Sequence, residues 1–287
     1  MNNIFNNYLF WTILYVISAI IFAQSFKKSN KNMKDAGALT ILLEVFTALF
    51  AILMIPFFKL SFASDIKIYI ILLIVTIIYA VTDRLNIEAR YGLDPSVFSM
   101  LKQLSTVFLM IFGFIFLKEE LVIKKLIGGI LIILANFLLT YQKGKFKINK
   151  YFIMCFISNL LFAIAMLINV NISDNFNLAI YTIMTVFIPS IFIYLFGRYN
   201  ISKLKKEFKV LKKKDFFIAS FFWMLMLVSS VRAYQLGNVT VVAPLLTLTS
   251  ILNALYEYLI LKNKKNFVIK LIASILIIIG VILIKTT

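Results

Sequence analysis

Apolar runs of about 20 residues recur ten times along this 287-residue chain, divided by short basic loops. A helix rising ~1.5 Å per residue crosses a ~30 Å hydrocarbon core in about 20 residues. The runs lie at 8–26, 36–58, 66–86, 95–117, 124–141, 150–170, 177–197, 215–236, 241–261 and 266–284. The chain is 62% hydrophobic with a mean hydropathy of +0.97. A soluble domain of this length cannot hide that much apolar surface, so the natural solvent is a bilayer. Run length, few prolines and the lack of alternating strand patterns favour helices over a barrel. The expected fold is all-α and integral to the membrane, with ten transmembrane helices. The first run lacks a basic leader and is too long for a signal peptide, so it reads as a retained span.

The two halves resemble each other. Shifted by 144 residues, "ARYGLDPSVFSMLKQLSTVFLMIFGFIFLK" lies over "AYQLGNVTVVAPLLTLTSILNALYEYLILK" without a gap. With one residue inserted, "KLIGGILIILANFLL" meets "KLIASILIIIGVILI". Each half holds five spans, 1–145 and 146–287. An odd number forces the second half to enter the membrane in the opposite sense, which makes an inverted repeat.

The stretch "FGFIFLKEELVIKKLIGGILIILANFLL" that ends the first half resembles the EamA-type repeat of the drug/metabolite transporter superfamily. In that family the fourth span ends in a Gly-Glu-Arg-like turn, with a Gly about nine residues on. Glu119 and Gly128 match this spacing, while Lys118 and Glu120 replace the flanking Gly and Arg, and the second half has Lys262-Asn263-Lys264 instead. The resemblance implies a ten-helix carrier whose cavity lies between the halves, lined largely by spans 1, 3, 4, 6, 8 and 9.

Charge is clustered. There are 30 Lys+Arg against 12 Asp+Glu, a net +18. The basic runs flank spans and no nucleic-acid motif accompanies them, so anionic lipid and cytoplasm are the expected surroundings rather than nucleic acid. Most of the basic residues fall in the loops after spans 1, 3, 5, 7 and 9. That bias puts this face in the cytoplasm and both termini outside, whereas family precedent puts both termini inside. The stretch "GRYNISKLKKEFKVLKKKD" is the largest loop and has room for a short amphipathic surface helix. There is no His, and the single Cys155 excludes an intramolecular disulfide.

No phosphate loop, nucleophile elbow or metal-ligand spacing appears, so the expectation is a protein that is not an enzyme and holds no cofactor or metal. The informative residues are polar ones inside spans. Glu44 lies eight residues into the second span, either as a protonatable coupling group or as the partner of a buried cation. Arg84 and Glu88, four apart near Asp83, are spaced to pair on one helix face. Lys102 and Gln103 sit about two turns inside the fourth span. Lys102 either snorkels or faces inward to meet Glu44 or the Arg84–Glu88 cluster. Arg232 is the repeat mate of Glu88, and Asn253, like Asn136 and Asn159, is placed to hydrogen-bond between helices. Tyr79 and Trp223 are repeat mates on spans 3 and 8. With Tyr15 on span 1 they are aromatic candidates for a ring or a cation. The substrate-binding candidates are therefore Tyr15, Tyr79, Lys102, Gln103, Trp223, Arg232 and Asn253. Glu44, Arg84 and Glu88 are the candidates for coupling or buried charge.

The expected function is secondary active transport of a small polar or zwitterionic metabolite by alternating access. A polar-lipid flippase or a non-transporting membrane scaffold are the alternatives. The expected partners are a small-molecule solute and the lipid bilayer of the cell membrane, in a monomer or homodimer.

Overall fold

The computed structural model describes residues 4–29, 35–92, 101–102, 104–120, 122–140, 148–249, 252 and 267–285. The described residues are helical throughout, with short connecting turns. In chain order the helices are α1 (Tyr8–Ser29), α2 (Ala36–Ile52), α3 (Ile66–Gly92), α4 (Leu104–Phe116) and α5 (Ile123–Thr140). There follow α6 (Lys150–Ile172), α7 (Leu178–Phe196), α8 (Ile201–Val210), α9 (Lys213–Leu236), α10 (Val239–Leu246) and α11 (Phe267–Lys285). Among the described residues five segments, Tyr8–Ser29, Ile66–Asn86, Lys150–Asn175, Leu178–Phe196 and Lys213–Leu236, are long and apolar enough to cross a membrane. α2 and α4 are shorter apolar helices. Large apolar side chains such as Ile13, Ile70, Ile115, Leu195 and Ile275 point outward. In lipid such exposure is favourable, and the largely apolar interior also holds small polar side chains, with Ser18, Thr47, Thr76, Ser158 and Ser229 all buried.

Side chains close the helix starts. Asp35 accepts from the Ala38 N–H (3.0 Å) at α2, Asn149 from Phe152 (2.9 Å) at α6, and Asn200 from Lys203 (2.7 Å) at α8. These bonds satisfy amides that the helix itself leaves open. Asn177 does more. It caps α7 through Ala179 and Ile180 and donates to the carbonyls of Ile55 and Phe58, tying the end of α2 to the start of α7.

The packing partners form a pattern. α1 lies along α9, and α3 lies along α6. α3 meets α7, and α9 meets α2. α2 pairs with α7, α4 with α10, and α5 with α11. Exchanging each helix of the first half with its counterpart in the second maps these pairs onto one another. Small residues bring some of the backbones close. A Cβ at Gly280 would lie 2.6 Å from the Gly128 carbonyl oxygen, so α5 and α11 touch there through glycine.

Candidate functional site

Glu44 is 4% exposed, and its neighbour across α3 is another carboxyl, Asp83. Glu44 Oε2 has no hydrogen-bond partner among the described residues. The Lys102 ammonium supplies the opposing charge, acting electrostatically on Asp83. Its Nζ donates to Asn86 Oδ1 at 3.3 Å and lies 5.6 Å from the centre of the Phe162 ring. Lys102 therefore faces inward, toward α3 and α6. Two bonds hold α6 here: Asn159 donates to the Leu101 carbonyl (2.9 Å) and Ser158 to that of Thr82 (3.3 Å). Asn159 thus performs the interhelical bonding its sequence position indicates.

About one turn from Asp83, Tyr79 belongs to a three-helix chain of hydrogen bonds. The Tyr181 hydroxyl donates to Asn169 Oδ1, and Asn169 Nδ2 donates to the Tyr79 oxygen. Tyr15, Tyr234 and Tyr79 lie close enough to interact electrostatically in the same region. Tyr15, Tyr79 and Asp83 are surrounded by protein yet keep partial accessibility. Near the other end of α9, Arg232 donates to Gln235 (3.0 Å), which donates to Ser173 Oγ (2.9 Å). Trp223 is elsewhere: its ring packs 4.6 Å from that of Phe22 in an apolar cluster with Leu39, Leu42 and Phe46. The structure does not bring it together with Tyr79.

Two polar clusters close the ends. On the side where α1, α3 and α7 finish, Lys203 pairs with Asp35 at 2.5 Å, and the Tyr199 hydroxyl donates to Asp35 at 2.7 Å. Burial alone would raise the Asp35 pKa, but the bonds from Lys203, Ala38 and Tyr199 outweigh it and hold the carboxyl below its ordinary value. The Asp35 bond raises the Lys203 pKa. Burial, then the Asp35 contact, raises that of Tyr199. Arg84 pairs with Glu88 at 2.8 Å beside this cluster. At Gly37 a Cβ would fall 2.1 Å from the Tyr199 oxygen, so only glycine lets that ring reach Asp35. On the opposite side Glu119 accepts from the N–H groups of Val239 (2.6 Å) and Thr240 (2.9 Å) and from the Thr240 hydroxyl (2.5 Å).

Gln103 and Asn253 lie outside the described residues, as does the side chain of Asn136. Sequence reasoning missed Asn169, Tyr181 and Tyr234. The available signal was Asn169 itself, an amide within the apolar run of α6. Among the described residues no group of His, Cys, Asp and Glu could hold a metal ion.

The arrangement is one of polar side chains converging from α2, α3, α6 and α7, and of Lys102 ahead of α4, inside an apolar bundle, which suits reversible binding of a polar solute. Residues 9–141 match the model of the EamA-like transporter family. A solved structure described as "Crystal structure of protein" superposes with a TM-score of 0.69 over 96% of this chain and 98% of that one, at 11% identity, a likeness of fold alone. No curated protein matches the chain in sequence. Residues 9–141, a little under half of the chain, are thus similar to the EamA-like transporter family of the drug/metabolite transporter superfamily, and the chain is an integral, multi-pass membrane protein.

Proposed function

We propose that the protein is a secondary active transporter of a small polar or zwitterionic metabolite, working by alternating access across ten spans built as two inverted five-helix repeats. The observation that carries this reading is the Glu44–Asp83–Lys102 cluster, held inside an apolar bundle beside the Tyr79–Asn169–Tyr181 chain. Ionisable groups at such a depth are costly and mark solute or ion pathways. Tyr15, Tyr79 and Asp83, enclosed yet partly accessible, fit the walls of a central cavity. The exchange symmetry of the packing pairs supports the repeats 1–145 and 146–287. Two carboxyls and one ammonium leave a negative charge, which a proton or the amino group of a solute neutralises. In this reading the side bearing Asp35 and Lys203 faces the cytoplasm.

The test is paired. A thermal-shift screen of purified protein against amino acids, nucleosides, amines and sugar phosphates finds a solute, since a bound ligand stabilises the native state. Single cysteines are then placed on α4 and α10 in the Cys155→Ala background. Their labelling changes in opposite senses when that solute is added. Equal responses on both helices would count against inverted alternating access.

A further inference from the structure

We propose that α8 and the turn after it form a binding site for anionic phospholipid headgroups. The depth of this element comes from α7. Its 19 residues span ~28 Å, about one hydrocarbon core, so its end at Phe196 lies at the membrane interface. Leu195 (61%) and Phe196 (82%) are exposed there. The turn at Gly197–Arg198, with Arg198 at a φ of 51°, redirects the chain into α8 at headgroup level.

The helix has two faces. Leu204 packs on the cluster around Ala38, Ile41 and Ile193. Phe208 stacks on Phe46 at 5.6 Å. Lys203 is clamped to Asp35, and Lys213 lies 5.7 Å from the Phe208 ring centre. These contacts fix the helix against the bundle. Lys205, Lys206 and Lys209 share the other side by their spacing, and Lys212 in the turn and Lys214 in the first turn of α9 follow; all are exposed. The acidic residues of this segment are Glu207, which acts on Lys203, and Asp215. Ile201, one turn before Leu204 on the packed side, is 62% exposed.

This combination selects a lipid surface over a soluble polyanion. An acidic protein or a nucleic acid would satisfy the lysines but leave Phe196 and Ile201 in water. A bilayer takes both: the apolar rim enters the acyl boundary while the lysines reach phosphates. Because the helix is already anchored, little ordering cost opposes binding.

The experiment measures thermal unfolding of the full chain in neutral detergent with added phosphatidylglycerol or phosphatidylcholine. Phosphatidylglycerol raises the Tm of the wild type and phosphatidylcholine does not. In the variant Lys205→Gln/Lys206→Gln/Lys209→Gln/Lys212→Gln the phosphatidylglycerol shift is lost, each lysine removed weakening binding by roughly fivefold. An undiminished shift in that variant overturns the proposal. So does an equal shift from inorganic phosphate in the wild type, which marks a soluble-anion site. Should the quadruple variant fail to fold, the pairs Lys205→Gln/Lys206→Gln and Lys209→Gln/Lys212→Gln carry the comparison. A full shift in both pairs overturns the proposal equally, and the corresponding Arg substitutions retain the shift.

Discussion

The hydroxyl of Thr240 donates to Glu119 Oε2 at 2.5 Å, joining the turn after α4 to the first turn of α10, 121 residues away. The backbone amides of Val239 and Thr240 point at the same carboxylate. Asn238, the residue in the capping position of α10, makes no side-chain cap bond. Glu119 replaces that cap from the other half of the chain. A negative charge at a helix start is also favoured by the helix dipole. Close approach makes this possible: a Cβ at Gly113 would lie 3.0 Å from Thr240 Cγ2.

Glu119→Ala removes all three bonds and lowers stability by about 1–2 kcal/mol, the usual cost of a lost cap. Glu119→Gln keeps only one of the two accepting oxygens, without charge, and costs part of this, and Thr240→Ser keeps the hydroxyl and stays near wild type. Thermal unfolding in detergent ranks the three. Equal melting of Glu119→Ala and wild type would show the latch to be incidental. The same contact joins α4 to α10, the pair expected to part during transport. Glu119→Ala therefore raises the labelling of a cysteine placed beside it.

Tyr79 and Trp223 hold matched positions in the two halves but different surroundings. Tyr79→Phe keeps the ring and removes the oxygen that Asn169 bonds. It is expected to weaken solute binding severalfold while the protein remains folded. Trp223→Ala instead removes a half-buried ring from beside Phe22, at a cost below the ~3 kcal/mol of a fully buried aromatic truncation. Its defect appears in melting temperature, and Trp223→Phe largely restores it. Ligand titration and unfolding, run on both variants, separate the roles; a binding loss for Trp223→Phe at wild-type stability would reverse the assignment.

That contrast shows where the sequence was informative. Helical crossing segments follow from run length, and the Arg84–Glu88 pair follows from an i,i+4 spacing on one helix. The surface helix was legible in the lysine-rich loop. The Tyr79–Asn169–Tyr181 chain was not, because its members come from three helices and no local spacing relates them. Repeat matching identifies equivalent positions, but the partner helix decides whether such a position is polar. α6 offers Asn169 to Tyr79, and α1 offers Phe22 to Trp223. The placement of Lys102 beside α3 and α6 needed the packing of helices whose order in space no spacing encodes.

Asp35 and Lys203 set a pH dependence at the end of the bundle. The folded Asp35 pKa lies below the ordinary value of 3.8. Its contribution is therefore fully present above that value and is lost as pH falls through the lower, folded pKa. Lys203 has the opposite sign. Its folded pKa lies above 10.5, so its contribution holds below 10.5 and is lost as pH rises through the folded value. The pair is solvent-accessible and therefore weak. Melting curves of wild type and Asp35→Asn should differ by a constant amount between these limits and converge in strong acid. A difference that grows as pH falls through neutrality would point to another group.

The central charges make the sharpest prediction. Lys102 reaches Asn86 and acts on Asp83, while Glu44 faces Asp83 from α2. Removing the ammonium leaves two facing carboxyls without their cation. Lys102→Met is expected to abolish transport and lower expression, because breaking a buried charge set costs more than never having built it. Glu44→Gln removes one carboxyl but keeps the shape. It too abolishes transport if the exchangeable charge resides on this pair. The double variant Lys102→Met/Glu44→Gln regains expression without activity. The decisive comparison uses Asp83→Asn with Lys102→Met, which removes the carboxyl nearest the lysine in charge terms. Expression recovers there at least as well as with Glu44→Gln. Uptake of the solute into proteoliposomes, normalised to protein level, reads activity. Wild-type uptake by Lys102→Met would show that the lysine only completes packing against Phe162 and Asn86.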